Sequence, residues 1–417
     1  MRDAAKLSMS IIILLVLAAV SAAQAVDQQT SQGDDASIVG QLVAGNNQFA
    51  VELYLKARDN AGDDNVFFSP FSISAALGMT WAGAAGETAD EMARVLHFTL
   101  PTDAVCRAFG SLTDRLSSGD VAGARRGEPF TLAIANGLWV QDGFSLLRDY
   151  VERVESSFDA AVRNLDFMGD PEGSRTAINQ WVAQKTAERI QNLLPQGVIT
   201  PDTRVILTNA VYFKASWQNP FEESSTGDGS FYLQDGSSVT VPMMSQTEFF
   251  RYASTEGCSA IEMDYAEGTA SMLILLPDGS LEDLEAELDA DLISAIRSGM
   301  TSRNVALAMP GFEFTRSMAL SDILKDMGMP SAFSEDADFS GFTGIPDLFI
   351  SAVVHKAFVK VDESGTEAAA ATAVVMAIES MPPTPVQMNI DRPFMFLIMD
   401  RQTGSILFMG RVTDPSA

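Results

Sequence analysis

The run at residues 204–217, "RVILTNAVYFKASW", is apolar at most positions and rich in β-branched and aromatic side chains. It does not alternate apolar with polar, so it reads as a central strand covered on both faces. Such a strand commits the chain to layers on both sides of a sheet, which takes a large domain. With 417 residues, 47% of them apolar, the chain can supply one. Further strand-like runs stand at 130–141, 238–246, 259–265, 271–277, 304–314, 394–400 and 405–412, the last two joined by the turn "RQTG". Helical spacing is found from about Ser37 to Asn60, after Ser69-Pro70, at 177–194 up to Pro195, at 281–288 and at 320–328. Thr88, with Glu91 three residues on, has the form of a capping box. Residues 117–129 read as a loop. No linker-like composition shift and no internal repeat divides the chain, so the pattern is one α+β domain.

The first twenty-five residues stand apart. Arg2 and Lys6 precede an apolar run ending at Val20, and Ala23-Gln24-Ala25 closes it, the layout of a cleaved secretory signal. The run is short for a bilayer crossing, though an uncleaved anchor is the alternative. The mature chain is expected to begin near Val26, to be secreted, and to open with a flexible lead-in over 26–36. One domain then fills 37–417. The net charge of −28, with Arg125-Arg126 an isolated basic pair, speaks against nucleic acid, heparin-type polyanions and membranes as partners. Cys106 and Cys258 could pair in an oxidising compartment, but two cysteines make neither a disulfide scaffold nor a zinc site.

Catalytic chemistry finds no foothold. His97 and His355 are the only histidines. His97 stands at a helix end beside apolar residues and His355 in a strand-like run, where packing and buried hydrogen bonding account for them better than a triad base does. There is no Gly-x-Ser-x-Gly elbow, no His-Glu-x-x-His, no phosphate loop and no calcium-loop spacing. No enzyme activity, metal or cofactor is expected.

One stretch is left over. Residues 361–380, "VDESGTEAAAATAVVMAIES", set four alanines between two threonines, and "MPPTP" follows. Alanine favours helix, but the segment lies between strand-like runs and the prolines favour exposed, extended chain. Read as a strand, it aligns Thr366, Ala368, Ala370 and Thr372 on one face, all small enough to slide into an existing sheet. A segment able to be loop, helix or inserted strand is what a conformational switch needs.

Here the chain resembles the serpins. The likeness rests on "NVFFSPFSISAALGMTWAGAAGETADEM" (65–92), "LTNAVYFKASW" (207–217), "DLFISAVVHKAFVKVDESGTEAAAA" (347–371) and "DRPFMFLIMDRQTGSILFMGRVTDP" (391–415), in family order. The resemblance implies three β-sheets, about nine helices and an exposed reactive-centre loop, here about 363–388. It also implies a monomeric suicide inhibitor of serine proteases: the loop is cut, the acyl-enzyme forms, and the loop inserts into the main sheet with the protease attached. The family's inhibitory hinge is matched by Glu363, Gly365, Thr366, Ala368, Ala369, Ala370, Ala371 and Thr372, while Glu367 would face outward. The alternative on the same fold is a non-inhibitory binding or carrier protein.

Counting fourteen residues on from the hinge glycine, as in antitrypsin-type members, puts the reactive bond at Glu379-Ser380, with Met381 open as a register alternative. Glu379 before the bond implies a glutamyl-preferring or elastase-like target, and the Met381 register a chymotrypsin- or subtilisin-like one. A trypsin-like target is disfavoured, because its pocket carries an Asp that selects Arg or Lys. Ser69, Ser72, Asn209 and His355 match the family's shutter, and Trp217 and Glu363 its breach. One departure stands out: Gly311 occupies the place where a Lys often pairs with the hinge glutamate, so Glu363 is expected to lack that partner.

Overall fold

Val205–Ser216 is a strand whose residues are all buried except half-buried Lys214, as a central position requires. It belongs to a computed structural model that describes residues 34–118, 130–266, 268–366 and 384–417. The chain opens with α1 (34–61), β1 (Val66–Phe68), α2 (Pro70–Trp81), α3 (Gly86–Val95) and α4 (Thr102–Ser118). It continues through β2 (Thr131–Gln141), α5 (Arg148–Phe158), β3 (Ala161–Leu165), α6 (Pro171–Lys185) and β4 (Val205–Ser216). Next come β5 (Gly227–Tyr232), β6 (Ser238–Thr255), β7 (Cys258–Asp264), β8 (Ala270–Pro277), α7 (Leu281–Ala286) and α8 (Ala290–Gly299). The remainder is β9 (Thr301–Pro310), β10 (Phe312–Ala319), α9 (Ser321–Met327), α10 (Ser340–Thr343), β11 (Ile350–Asp362), β12 (Gly365–Thr366), β13 (Val386–Asn389), β14 (Phe394–Asp400) and β15 (Ile406–Val412).

Six strands make one sheet in the order β10-β11-β12-β4-β2-β3, and below β12 the strands β11 and β4 pair directly and in parallel. The other strands form a nine-stranded assembly, β1-β15-β14-β8-β7-β6-β9-β13, with β5 on β6. Of the three sheets expected, then, one stands alone. The other two are continuous, because the 18-residue β6 runs from pairing with β5 and β9 into pairing with β7. Ten α-helices lie among the described residues.

All twelve residues of α2 are buried, and it touches β15 on one side and β2 and β4 on the other. Ser69 caps it by accepting from the Ser72 N–H at 3.2 Å, and Pro70 fits the first turn, where no N–H is needed. On the far face of the six-stranded sheet α6 lays Ile178 and Val182 on Ile206, Ala210 and Val354, and Trp181 meets Trp139 edge-on at 5.2 Å.

Four local expectations need correction. Residues 34–36 belong to α1 and not to a flexible lead-in. Helix α3 starts at Gly86 with Ala85 as its cap residue, so Thr88 is inside it and makes no capping box. Instead the Thr88 hydroxyl accepts from Asp338 N–H and the Glu91 carboxylate from Ser331 N–H, tying down a distant loop. Helix α6 starts at Pro171 under an Asp170 cap and stops at Lys185, short of Pro195. The Thr186 hydroxyl donates to the Val182 carbonyl and accepts from Ile190 N–H, turning the chain there. Finally, the run at 304–314 is two strands, since the chain leaves one sheet at Gly311 and joins the other.

Candidate functional site: the seam between β4 and β11

The seam where β4 and β11 run parallel is closed from beneath by polar groups. Asn209 and His355 sit opposite each other across it. The Ser69 N–H donates to His355 Nε2 at 3.3 Å, which leaves the ring proton on Nδ1 to donate to Asn209 Oδ1. Asn209 Nδ2 faces the Ser72 carbonyl at 3.0 Å, the Ser72 hydroxyl and Asn136 Oδ1. Ser69 Oγ donates to the Leu407 carbonyl at 2.6 Å, anchoring the cluster to β15. His355 is fully buried, and that desolvation lowers its pKa to about 3, so the ring is neutral. The four predicted shutter residues therefore form one network. Asn136, a polar residue in the middle of an apolar run, belongs to it and was missed.

At the upper end the strands part, and residues 365 and 366 lie between them. Thr366 pairs with Val361 and Ala215, and Gly365 with Asp362 and Ser216, antiparallel on both sides. Gly365 has φ of +155°, and a Cβ there would fall 2.2 Å from the Ala215 carbonyl oxygen, so glycine is required. Trp217 Nε1 donates to the Asp362 carbonyl at 3.0 Å, and the Trp217 N–H to the Ser364 carbonyl at 2.9 Å. The indole stacks on Tyr265, with ring centroids 4.6 Å apart and an 8° tilt. The Tyr265 hydroxyl shares a 2.8 Å hydrogen bond with Thr366 Oγ1, and both residues are buried. Trp217, Gly365 and Thr366 thus meet at this end of the seam. Tyr265 escaped notice because its partner lies 101 residues away and no local pattern links them.

Glu363 is half-buried, and no hydrogen bond or ion pair of its carboxylate occurs among the described residues. Its backbone carbonyl accepts from Phe221 N–H at 2.8 Å. The hinge residues Ala368, Ala369, Ala370, Ala371 and Thr372, and the bond candidates Glu379, Ser380 and Met381, lie outside the described residues, as do the signal segment and most of the loop at 117–129.

Cys106 and Cys258 are free and buried, so they do not pair. Burial pushes the Cys106 thiol up to about 11, which keeps it unreactive. His97, just past the end of α3, puts Nε2 3.1 Å from the Glu52 carboxylate. Among the described residues no group of three potential metal ligands occurs, and no helix is long and apolar enough to cross a membrane. At this end of the seam the two strands are held apart by Gly365 and Thr366, which pair with both.

The serpin (serine protease inhibitor) family model matches residues 44–415. A serpin-like protein of Thermococcus kodakarensis is 42% identical over 372 residues, covering 88% of this chain and 84% of that one. Leukocyte elastase inhibitor A of Rattus norvegicus is 36% identical over 386 residues, covering 90% of this chain and 100% of that one. Among solved structures, human thyroxine-binding globulin complexed with its hormone superposes with a TM-score of 0.81 at 32% identity, over 91% of this chain and 99% of that one.

Proposed function

This chain belongs to the serpin family, and from that membership we propose that it is a secreted suicide inhibitor of serine proteases. The family holds both inhibitors and binding proteins, so the choice turns on whether the loop can enter the sheet.

The observation that carries the inhibitory reading is register. The hinge pairs with β4 and with β11 in the same offset that pairs Asn209 with His355 lower in the seam. A strand continued from Thr366 therefore needs no slip against either neighbour. In that register Thr372 reaches the level of Asn209 and His355, and Met376 that of Val205. Thr366 points into the core, so Ala368, Ala370 and Thr372 would follow on the same face, and Ala369 and Ala371 would pass beneath α6. Nothing bulky or charged between 368 and 373 opposes this.

In the mechanism proposed, the protease serine attacks the carbonyl of Glu379, the amine of Ser380 leaves, and an ester links protease to loop. Insertion then parts β4 from β11 and exchanges one parallel pairing for two antiparallel ones, which are somewhat stronger per residue. The relative that is named for leukocyte elastase supports an elastase-like target, and Glu379 a glutamyl-preferring one. Incubation with elastase, chymotrypsin, subtilisin, trypsin and a glutamyl endopeptidase, read on denaturing gels and by mass spectrometry, tests this. A stable adduct and a released peptide starting at Ser380 are expected. Cleavage by every protease without adduct, and without stabilisation of the cut form, would overturn it in favour of a carrier.

A further inference from the structure

Glu363 has no side-chain partner among the described residues, yet Gly365 and Thr366 are seated between β11 and β4. Something else holds the hinge. Thr366 is fully buried, and its hydroxyl meets that of Tyr265, which follows β7 in the neighbouring sheet. The Tyr265 ring is fixed on two sides, stacked on Trp217 at 4.6 Å and edge-on to Phe213 at 5.2 Å. Trp217 in turn bonds the carbonyl just before the hinge. Tyr265 also pairs by backbone with Trp217, so its position is set by both sheets. Burial pushes the Tyr265 hydroxyl well up, so it stays protonated and able to donate.

We propose that the Tyr265–Thr366 hydrogen bond is the latch that keeps Gly365 and Thr366 inserted in the uncut protein, making Tyr265 a positioning residue for insertion. This rests on the inhibitory reading above. A hinge already seated spares the cut loop the step of finding the seam. Insertion then competes better with hydrolysis of the ester, and fewer inhibitor molecules are spent per protease trapped.

Three variants test it. Tyr265→Phe keeps the ring and its stacking but removes the hydroxyl. Thr366→Val is near-isosteric and strands the Tyr265 hydroxyl. The double variant replaces both polar partners with apolar ones, which restores a matched contact. Amide hydrogen exchange of the segment spanning 361–366, measured without protease, should quicken about fivefold in each single variant, the ratio one buried hydrogen bond supports, and return toward wild type in the double. With a trapped protease, inhibitor consumed per adduct should rise in the singles and recover in the double. Exchange and consumption unchanged in Tyr265→Phe would overturn the latch, as would a double variant worse than either single. If the wild type forms no adduct, the inhibitory reading fails, while the exchange experiment still decides whether the latch exists.

Discussion

At the scale of single residues the seam is governed by which polar groups are buried and what satisfies them. His355 contributes to stability only while neutral. Its folded pKa lies near 3, against about 6.5 in the unfolded chain, so the unfolded state takes the proton first as pH falls. The contribution is whole above pH about 6.5 and shrinks as pH falls from there toward 3, by about 1.4 kcal/mol per unit. His355→Gln can keep a donor toward Asn209 and an acceptor for Ser69 N–H without titrating. Urea unfolding at pH 7 and pH 5 should show the wild type losing about 2 kcal/mol more than the variant between them. Equal losses would mean that the ring does not stay neutral. Glu363 makes the opposite case. With no side-chain partner among the described residues, Glu363→Gln should leave unfolding within about 0.5 kcal/mol of wild type, whereas a loss above about 1 kcal/mol would reveal a partner. His355 was legible in the sequence as a polar group in an apolar run, whereas the absence of a lysine partner for Glu363 was only what the family resemblance implied. Tyr265 was not, because a tyrosine closing an alternating strand looks the same whether its hydroxyl faces water or a hinge.

Elements were legible wherever burial and periodicity agreed. Central β4 announced itself by lacking alternation, and α2 by Ser69-Pro70 followed by small apolar residues. Misreadings came where tertiary demands captured a local signal, as when Thr88 and Glu91 bound backbone of the 331–338 loop instead of their own helix end. The end of α6 was missed because Thr186 reads as an ordinary helix residue until its hydroxyl turns back on the chain. The pairing of β12 with its two neighbours turns the small-residue ribbon into a quantitative expectation. Inserted in register, Thr372 would stand between Asn209 and His355, where a hydroxyl can join the network and a large cation cannot. Thr372→Arg should still be cut by the target protease but yield at least about tenfold less adduct on a gel, since burying an unpaired guanidinium costs several kcal/mol. Thr372→Ser should trap normally. An arginine variant that traps as well as wild type would show that insertion stops short of residue 372.

For the whole molecule the question is why a folded chain should leave its main sheet open at one end. β4 and β11 pair directly below the hinge although each could pair with an intervening strand, and in the mechanism proposed the residues that would form it stay tethered along the chain to β13 until the loop is cut. That strand pairs in parallel with β9 in the other assembly. The constraint is covalent, so cutting the loop removes it without altering a side chain. The freed segment can then gain ladder hydrogen bonds on both edges and bury its small residues, against the cost of ordering about ten residues. It follows that the cut protein should be more stable than the intact one, the reverse of what a nick does to an ordinary domain. Limited proteolysis at Glu379-Ser380 followed by calorimetry should raise the melting temperature by about 5 °C or more, several kcal/mol for a domain this large. Thr372→Arg, cut in the same way, should gain little, because its strand stalls above the shutter. A cut wild type that melts at or below the intact protein would mean the closed seam is already its lowest state, and a chain in that state has no stored free energy with which to trap a protease.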